Sequence, residues 1–363
     1  MDVNTTLVTA AVKAQVDPLR KRLAASERQL AAAEGQIQEL KSSASQAADA
    51  LVLRVWRDSC PPLQELWAEA NSGVRVFMGV TLGGAGLGTA EGRVTKIAVS
   101  KQGLTGVVPA AFGQLGMLEV LHLGSNRLTG AVPAELGQLT TLIALRLDGN
   151  QLTSVPAALG NLSLLLELRL KGNQLTSMPA ALEPLDAPVR LDLDHNQLTS
   201  VPTAFGNLSS LSKLCLNGNQ LTSVPAELGN LSSLSELYLN DNKLKSIPAE
   251  LGNLSSLSEL WLNENQLRTV PAELWQLSAL SALYLDGNRL TSVPAALGHL
   301  SSLSELTLNR NQLTSVPAEL GNLFSVTELY LDENQLTSVP AALGRLRDFE
   351  VHLTLDDGVT IEV

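Results

Sequence analysis

An asparagine recurs along the chain at positions 126, 150, 173, 196, 219, 242, 265, 288, 311 and 334, first after a step of 24 residues and then every 23. A period this strict leaves few architectures open. Each unit must be one supersecondary coil, and the coils must stack on one another. Relative to each Asn, an apolar residue, usually Leu, stands eight, five and three positions before and two, nine and twelve after. Around Asn219 these are Leu211, Leu214, Leu216, Leu221, Leu228 and Leu231, and Val224 and Pro225 complete the unit. An earlier unit is in phase with Gln102 in the Asn slot, through Ile97, Val99, Leu104 and Pro109, which brings the array to about eleven repeats over residues 94–346.

The stretch LxxLxLxxN alternates apolar and polar residues as a short strand does, whereas PAELGNLSSL reads as a turn or short helix returning along the opposite side. The apolar anchors of one coil gain less on burial than the ordering of its backbone costs, so a coil folds only against its neighbours. Stacking joins the strands into a parallel sheet. The Asn, turned inward at the bend, can satisfy backbone groups that the turn leaves unpaired. The chain is 45% hydrophobic but only 3% aromatic, so the core is expected to be Leu, Val and Ala rather than rings.

The unit LxxLxLxxNxLTSVPAELGNLSS resembles the leucine-rich repeat family, in the 23-residue form of intracellular Ras-signalling scaffolds and related plant proteins. The first two repeats, with LTG at 104–106 and 128–130, are similar to the 24-residue plant type. Upstream, DALVLRVWRDSC, Trp67, GVTLGG and GRVTKIAVSKQGLTG resemble the N-terminal cap of plant-like arrays, although the cysteine pair of extracellular caps is reduced here to Cys60. The resemblance implies an α/β repeat fold, a right-handed solenoid or horseshoe with a parallel concave sheet, and a role in holding a protein partner. A small GTPase, kinase or phosphatase is the partner class it suggests. Four regions are expected: a helix over 1–50, a cap over 51–93, the repeats over 94–346 and a capping half-repeat over 347–363, where Gly358 takes the Asn slot. Over residues 7–53, Val16, Leu23, Leu30, Ile37, Ala44 and Leu51 recur every seven residues. That stripe fits a self-associating coiled coil or a single amphipathic helix folded on the cap.

Net charge is −11. Residues 1–57 carry six acids and eight bases, so the remainder holds −13. An acidic array repels phosphate backbones and anionic lipid and favours a basic protein partner over nucleic acid or membrane. The two cysteines, Cys60 and Cys215, have no framework spacing, and the opening MDVNTTLVTAAVKAQVDPLRKR lacks a secretory pattern; both suit a cytoplasmic protein.

Alternation along each strand turns the residues six, four, two and one before the Asn towards the concave side. Four before it, successive repeats carry His122, Arg146, Arg169, Asp192, Cys215, Tyr238, Trp261, Tyr284, Thr307 and Tyr330. The aromatic run Tyr238, Trp261, Tyr284 and Tyr330 is flanked by Glu236, Glu259, Glu305 and Glu328 on one side and by Asp241, Glu264, Asp286, Asp332 and Glu333 on the other. Rigid rings framed by acids suit a basic partner. Stacking among the rings, with the acids serving solubility, is the competing account. Arg146, Arg169, Arg190 and Lys213 with Asp192 and Asp194 read as a solvated ion-pair surface.

No catalytic set, cofactor site or metal site is expected. His122, His195, His299 and His352 are scattered, Asp186, Asp192, Asp194 and His195 make a weak cluster, and Cys215 and His195 are too far apart along the strands for a thiolate pair. Gly83, Gly84, Gly86 and Gly88 fit no phosphate-loop spacing. The Asn-Leu-Ser triplets at Asn161, Asn207, Asn230 and Asn253 belong to the repeat consensus and read as loop residues.

Overall fold

The computed structural model describes residues 28, 31–32, 35–36, 43–58, 63, 80–82, 93–180, 190–346 and 350–362. One strand from each repeat, from Val94–Ala98 to Glu328–Tyr330, enters a thirteen-stranded sheet. Val80–Leu82 closes one edge in antiparallel pairing and His352–Thr354 extends the other in parallel. Pairing advances by one period at each step, so that Leu214 faces Leu237, Leu237 faces Leu260 and Leu260 faces Leu283. The period of the leucines therefore sets the register, and these leucines are fully buried.

Opposite the sheet, the described coils before the last return through five-residue 3-10 turns, such as Ala226–Asn230 and Ala249–Asn253. A proline precedes each: Pro225, at φ −73° and ψ 149°, fixes the extended entry and has no N–H to leave unpaired. The turn is tight because the next coil presses on it. A Cβ added to Gly252 would stand 2.6 Å from the Glu273 carbonyl oxygen of the following coil. Among the described turns, the last, Ala341–Gly344, is α-helical instead. The two LTG repeats differ from the rest: their Thr105–Val107 and Arg127–Ala131, with Gln151–Ser154 of the next repeat, form a second, three-stranded sheet, with Gly106 and Gly130 at φ +87° and +77°.

Residues 43–58 form a helix whose Val52, Leu53 and Trp56 enter the core of the array, with Trp56 edge-on to Phe112 at 4.7 Å between centroids. Buried Asp49 accepts hydrogen bonds from Arg93 Nε at 2.8 Å and from the Val94 amide at 2.9 Å. The helix runs through the boundary expected at residues 50/51 because Asp49, Val52, Leu53 and Trp56 share its inner face. Of the heptad positions, Ala44 and Leu51 lie on its outer side, Leu51 being 62% exposed. The earlier heptad residues, Cys60, Trp67, Gly83 to Gly88 and Asp186 lie outside the described residues. At the far end, the Asp356 carboxylate accepts the backbone N–H groups of Glu333 and Asn334 at 2.7 and 3.1 Å. Among the described residues, no helix is long and apolar enough to cross a membrane.

Candidate functional site

Two ladders hold the concave strands in place. The first is the asparagine series. Asn219, buried, donates from Nδ2 to the carbonyls of Leu193, Leu216 and Asn217 at 3.0, 3.0 and 3.2 Å, and its Oδ1 accepts the Leu198 N–H at 3.0 Å. The same set recurs at Asn242 and Asn265. The asparagines thus join adjacent coils through groups that would otherwise be buried without partners. The second ladder was not anticipated from the sequence. Ser235, Ser258, Ser281 and Ser304 each donate a hydroxyl to the backbone carbonyl of the equivalent residue one coil back, at 2.8 to 3.0 Å. The signal for it was the serine before each Glu-Leu or Ala-Leu strand.

On this frame, Tyr238, Trp261 and Tyr284 occupy paired positions on adjacent strands. Their rings stack at centroid separations of 4.6 and 4.9 Å. Thr307 interrupts the row. It is buried, donates to Asp286 Oδ1 at 2.7 Å, and leaves Tyr330 to pair with His352 at 5.5 Å. The predicted acids bind the ring hydroxyls: Tyr238 Oη lies 2.5 Å from Glu236 and 2.9 Å from Glu259, Tyr284 donates to Glu305 at 2.5 Å, and Tyr330 to Glu328 at 2.9 Å. Lys213 completes one end, donating to Glu236 and to Tyr238 Oη at 3.0 Å with its ammonium 4.3 Å over the Tyr238 ring. The rings are therefore half-buried and locked in orientation, and Trp261 Nε1 is buried without an acceptor.

The charges follow from these contacts. Burial, reinforced by the neighbouring glutamates, pushes the Tyr238 and Tyr284 hydroxyls above the usual phenol range. Burial alone would raise Glu236 too, but hydrogen bonds from Lys213 and Tyr238 outweigh it and hold this carboxyl below the usual range. Of the other predicted acids, Asp241, Glu264 and Glu333 stand at left-handed φ, each at +53°, on the rim of the sheet.

In the N-terminal half, Glu167 bridges Arg146 and Arg169. Arg190 pairs with Asp192, and Lys171 with Asp194. Asp192, Asp194 and Cys215 bring one potential ligand atom each to within 4.8 Å of one another, all three buried. That trio differs from the grouping with His195 weighed from the sequence. Register places Cys215 opposite Asp192, whereas His195 sits in the left-handed bend at φ +51°. Asp194 accepts the Asn217 N–H at 2.8 Å, and burial raises its carboxyl above the usual range. Burial, followed by the charges of Asp194 and Asp192, pushes the Cys215 thiol up to about 12. At neutral pH it is a protonated core thiol, unsuited to nucleophilic work.

A curved array of short parallel strands, one per coil, tied by a buried asparagine ladder and returned by tight turns, defines a leucine-rich solenoid with a sheet open for contact. The description "Leucine rich repeat" matches residues 92–152 and 189–244, and "Leucine-rich repeat region" matches 236–346. A solved leucine-rich repeat protein of Leptospira interrogans is 33% identical, with 74% of this chain and 79% of that one covered and a TM-score of 0.53. The chain belongs to the leucine-rich repeat family. It is also similar to the crystal structure of PEPR1-AtPEP1, at 28% identity over 87% of this chain and 51% of that one, with a TM-score of 0.69. The ectodomain of the Arabidopsis receptor kinase HAESA, in complex with an N-terminally extended IDA peptide hormone, is 25% identical over 88% of this chain and 54% of that one, with a TM-score of 0.62. The chain spans about half the length of these last two. No curated protein sequence matches it.

Proposed function

We propose that this chain is a non-catalytic scaffold of intracellular signalling that grips a basic protein partner against the C-terminal half of its concave sheet. The observation that carries this reading is the stack of Tyr238, Trp261 and Tyr284, held in fixed orientation by Glu236, Glu259 and Glu305. Large rings whose conformational freedom is already spent lose little entropy when covered, which is the property of interface anchors. Asp286 adds an acid on the Tyr284 coil, and Glu328 and Tyr330 extend the acidic, aromatic surface beyond Thr307. A basic segment fits this half through its charge, with the half-buried ring faces as its apolar contact. A small GTPase, kinase or phosphatase of a cytoplasmic pathway is the partner class in keeping with the 23-residue repeat. Self-association would use the outer face of the N-terminal helix at Ala44 and Leu51.

The test is affinity capture from the source cell's extract at near-physiological salt, comparing wild type with Trp261→Ala/Tyr284→Ala. Loss of a protein held by the wild type, by more than about tenfold with an unchanged unfolding midpoint, supports the site. Identical retention by both removes the ring stack from the function.

A second reading, a recognition receptor for a foreign or extracellular ligand, is favoured by the peptide-bound plant receptor neighbour and by the exposure of Asn161, Asn207, Asn230 and Asn253 at the ends of their turns. Peptide mapping of the protein purified from its source decides it: glycans on those asparagines support the receptor, and bare asparagines the cytoplasmic scaffold.

A further inference from the structure

Departures from the repeat cluster on a second face, the flank that leaves the asparagine bend. Three residues after the ladder asparagine the chain has Thr from Thr129 to Thr337, except at Lys245 and Arg268. Immediately after the asparagine, where Gln is usual, the same and the following coil carry Lys243 and Arg289. Four cations thus gather in three adjacent coils of the most acidic part of the chain. Lys245, Gln266, Arg268 and Arg289 line one cavity of about 450 Å³. All four cations are exposed, Lys243 donates to Gln220 Oε1 at 3.3 Å, and none has a carboxylate in ion-pair reach among the described residues. On the concave sheet, by contrast, Arg146, Arg169, Lys171, Arg190 and Lys213 are each matched to an acid.

Beside this cavity lies a second departure. Trp275 fills the slot that Gly229, Gly252 and Gly298 hold in neighbouring coils. Since even a Cβ in the Gly252 slot meets the next coil's backbone, an indole there keeps the coils apart. The turns Ala272–Gln276 and Ala295–His299 pack more loosely than the other described neighbouring turns. Between them is a cavity of about 260 Å³ walled by Val270, Ala272, Trp275, Val293 and Pro294, with Thr269 and Ser292 at its edge. Trp275 is 4% exposed and its indole N–H has no acceptor. Arg268 lines the cationic cavity and its chain neighbour Thr269 the apolar one, so the two lie side by side.

The structure assigns to this flank the capture of a phosphorylated segment of a partner protein, with the phosphoryl group among Lys245, Arg268 and Arg289 and a nearby apolar side chain beside Trp275. A phosphoryl dianion answers three unpaired cations better than a single carboxylate does, and guanidinium groups bind it with paired N–H donors. The apolar cavity lies below the roughly 300–1,000 Å³ of small-molecule pockets and suits one side chain rather than an acyl chain. Asp241 and Glu264 on the rims of the same coils, within a chain of net charge −11, oppose a nucleic acid or an anionic bilayer laid across the flank. This site is distinct from the concave ring stack and stands without it.

The experiment passes a degenerate peptide library with one fixed phosphoserine, and its unphosphorylated twin, over the immobilised full chain at near-physiological salt. Wild type is expected to retain the phosphorylated library about tenfold better and to select an apolar residue at a fixed distance from the phosphoserine. Arg268→Glu/Arg289→Glu, at exposed positions, abolishes the phosphate preference. Trp275→Gly keeps that preference and loses the apolar selection; Ser292→Trp, which plugs the cavity from an exposed position, does the same if Trp275→Gly fails to fold. Trp261→Ala/Tyr284→Ala leaves both intact. Equal retention of the two libraries, or a preference that survives Arg268→Glu/Arg289→Glu, overturns the assignment. Binding of phosphoinositide vesicles through Arg268 and Arg289 with no peptide preference overturns it in favour of a membrane surface.

Discussion

At the residue scale, the ladder asparagines are the clearest case of one side chain carrying a fold. Asn219→Ala would strand the Leu198 N–H and the Leu193 and Leu216 carbonyls in a dry interior. With about 1–3 kcal/mol for each stranded group, a loss of about 3 kcal/mol or more is expected in urea unfolding, and a change below 1 kcal/mol would show that water replaces the amide. The recurrence of Asn was legible in the sequence because the array repeats it; the partners of Cys215 were less so. Counting four residues back from Asn196 and Asn219 aligns Asp192 with Cys215, and only the register of the strands gives that alignment chemical meaning. The thiol's ordinary value of 9.0 is raised to about 12 in the fold, and Tyr238 and Tyr284 are raised above 10.0 in the same sense. For acids raised in the folded state, the stability they contribute is present below the unfolded values and lost as pH rises through the folded ones. Unfolding free energy should therefore fall between pH 9 and about 12, and iodoacetamide should label Cys215 at pH 8 only after urea is added. Rapid labelling of the native protein at that pH contradicts the buried, protonated thiol.

At the scale of elements, the N-terminal helix shows how packing chooses among faces that a heptad count treats alike. The stripe through Ala44 and Leu51 is real, yet the array buries Val52, Leu53 and Trp56, because these match the open edge at Phe112 and place Asp49 against Arg93 and Val94. Trp56→Ala should cost about 3–5 kcal/mol. In a linear array that cost falls on the nearest coils, so hydrogen exchange is expected to rise over residues 94–123 and to stay unchanged beyond 236. A uniform rise along the chain would mean that the array unfolds as one unit. The concave strands teach the same lesson. Alternation put Tyr238, Trp261, Tyr284 and Tyr330 in one row, but Thr307, drawn down by its bond to Asp286, divides the row into a three-ring stack and a separate Tyr330–His352 pair.

At the scale of the whole molecule, the period is a unit of construction. Deleting residues 266–288 removes one full coil and joins Asn265 to Arg289 in phase, so the shortened chain should keep a cooperative transition at a lower midpoint in circular dichroism. Deleting 266–277 instead breaks the phase and should leave no native-like array downstream. Charge is also distributed at this scale. The concave slots of the first six coils carry more bases than acids, whereas those beyond Glu236 carry Arg310 as their one cation among many acids. If the basic partner lies on the acidic half, its association rate should fall several-fold between low salt and about 0.3 M while its dissociation rate changes little. A rate indifferent to salt would point to contacts with the rings alone.

By itself the sequence determined the coil, its length, the parallel register and the inward asparagines, because a stacked repeat turns local periodicity directly into tertiary contact. It also set the concave positions, since alternation along a strand is a local rule. What only the tertiary structure decided were the meetings between side chains whose outcome depends on size and depth: the hydroxyl bonds that orient the rings, the bond that draws Thr307 to Asp286, the burial of Cys215 with two aspartates, and the separation of coils at Trp275. Periodicity specifies where a residue stands, while packing density and the need to satisfy every buried polar group specify what it does there.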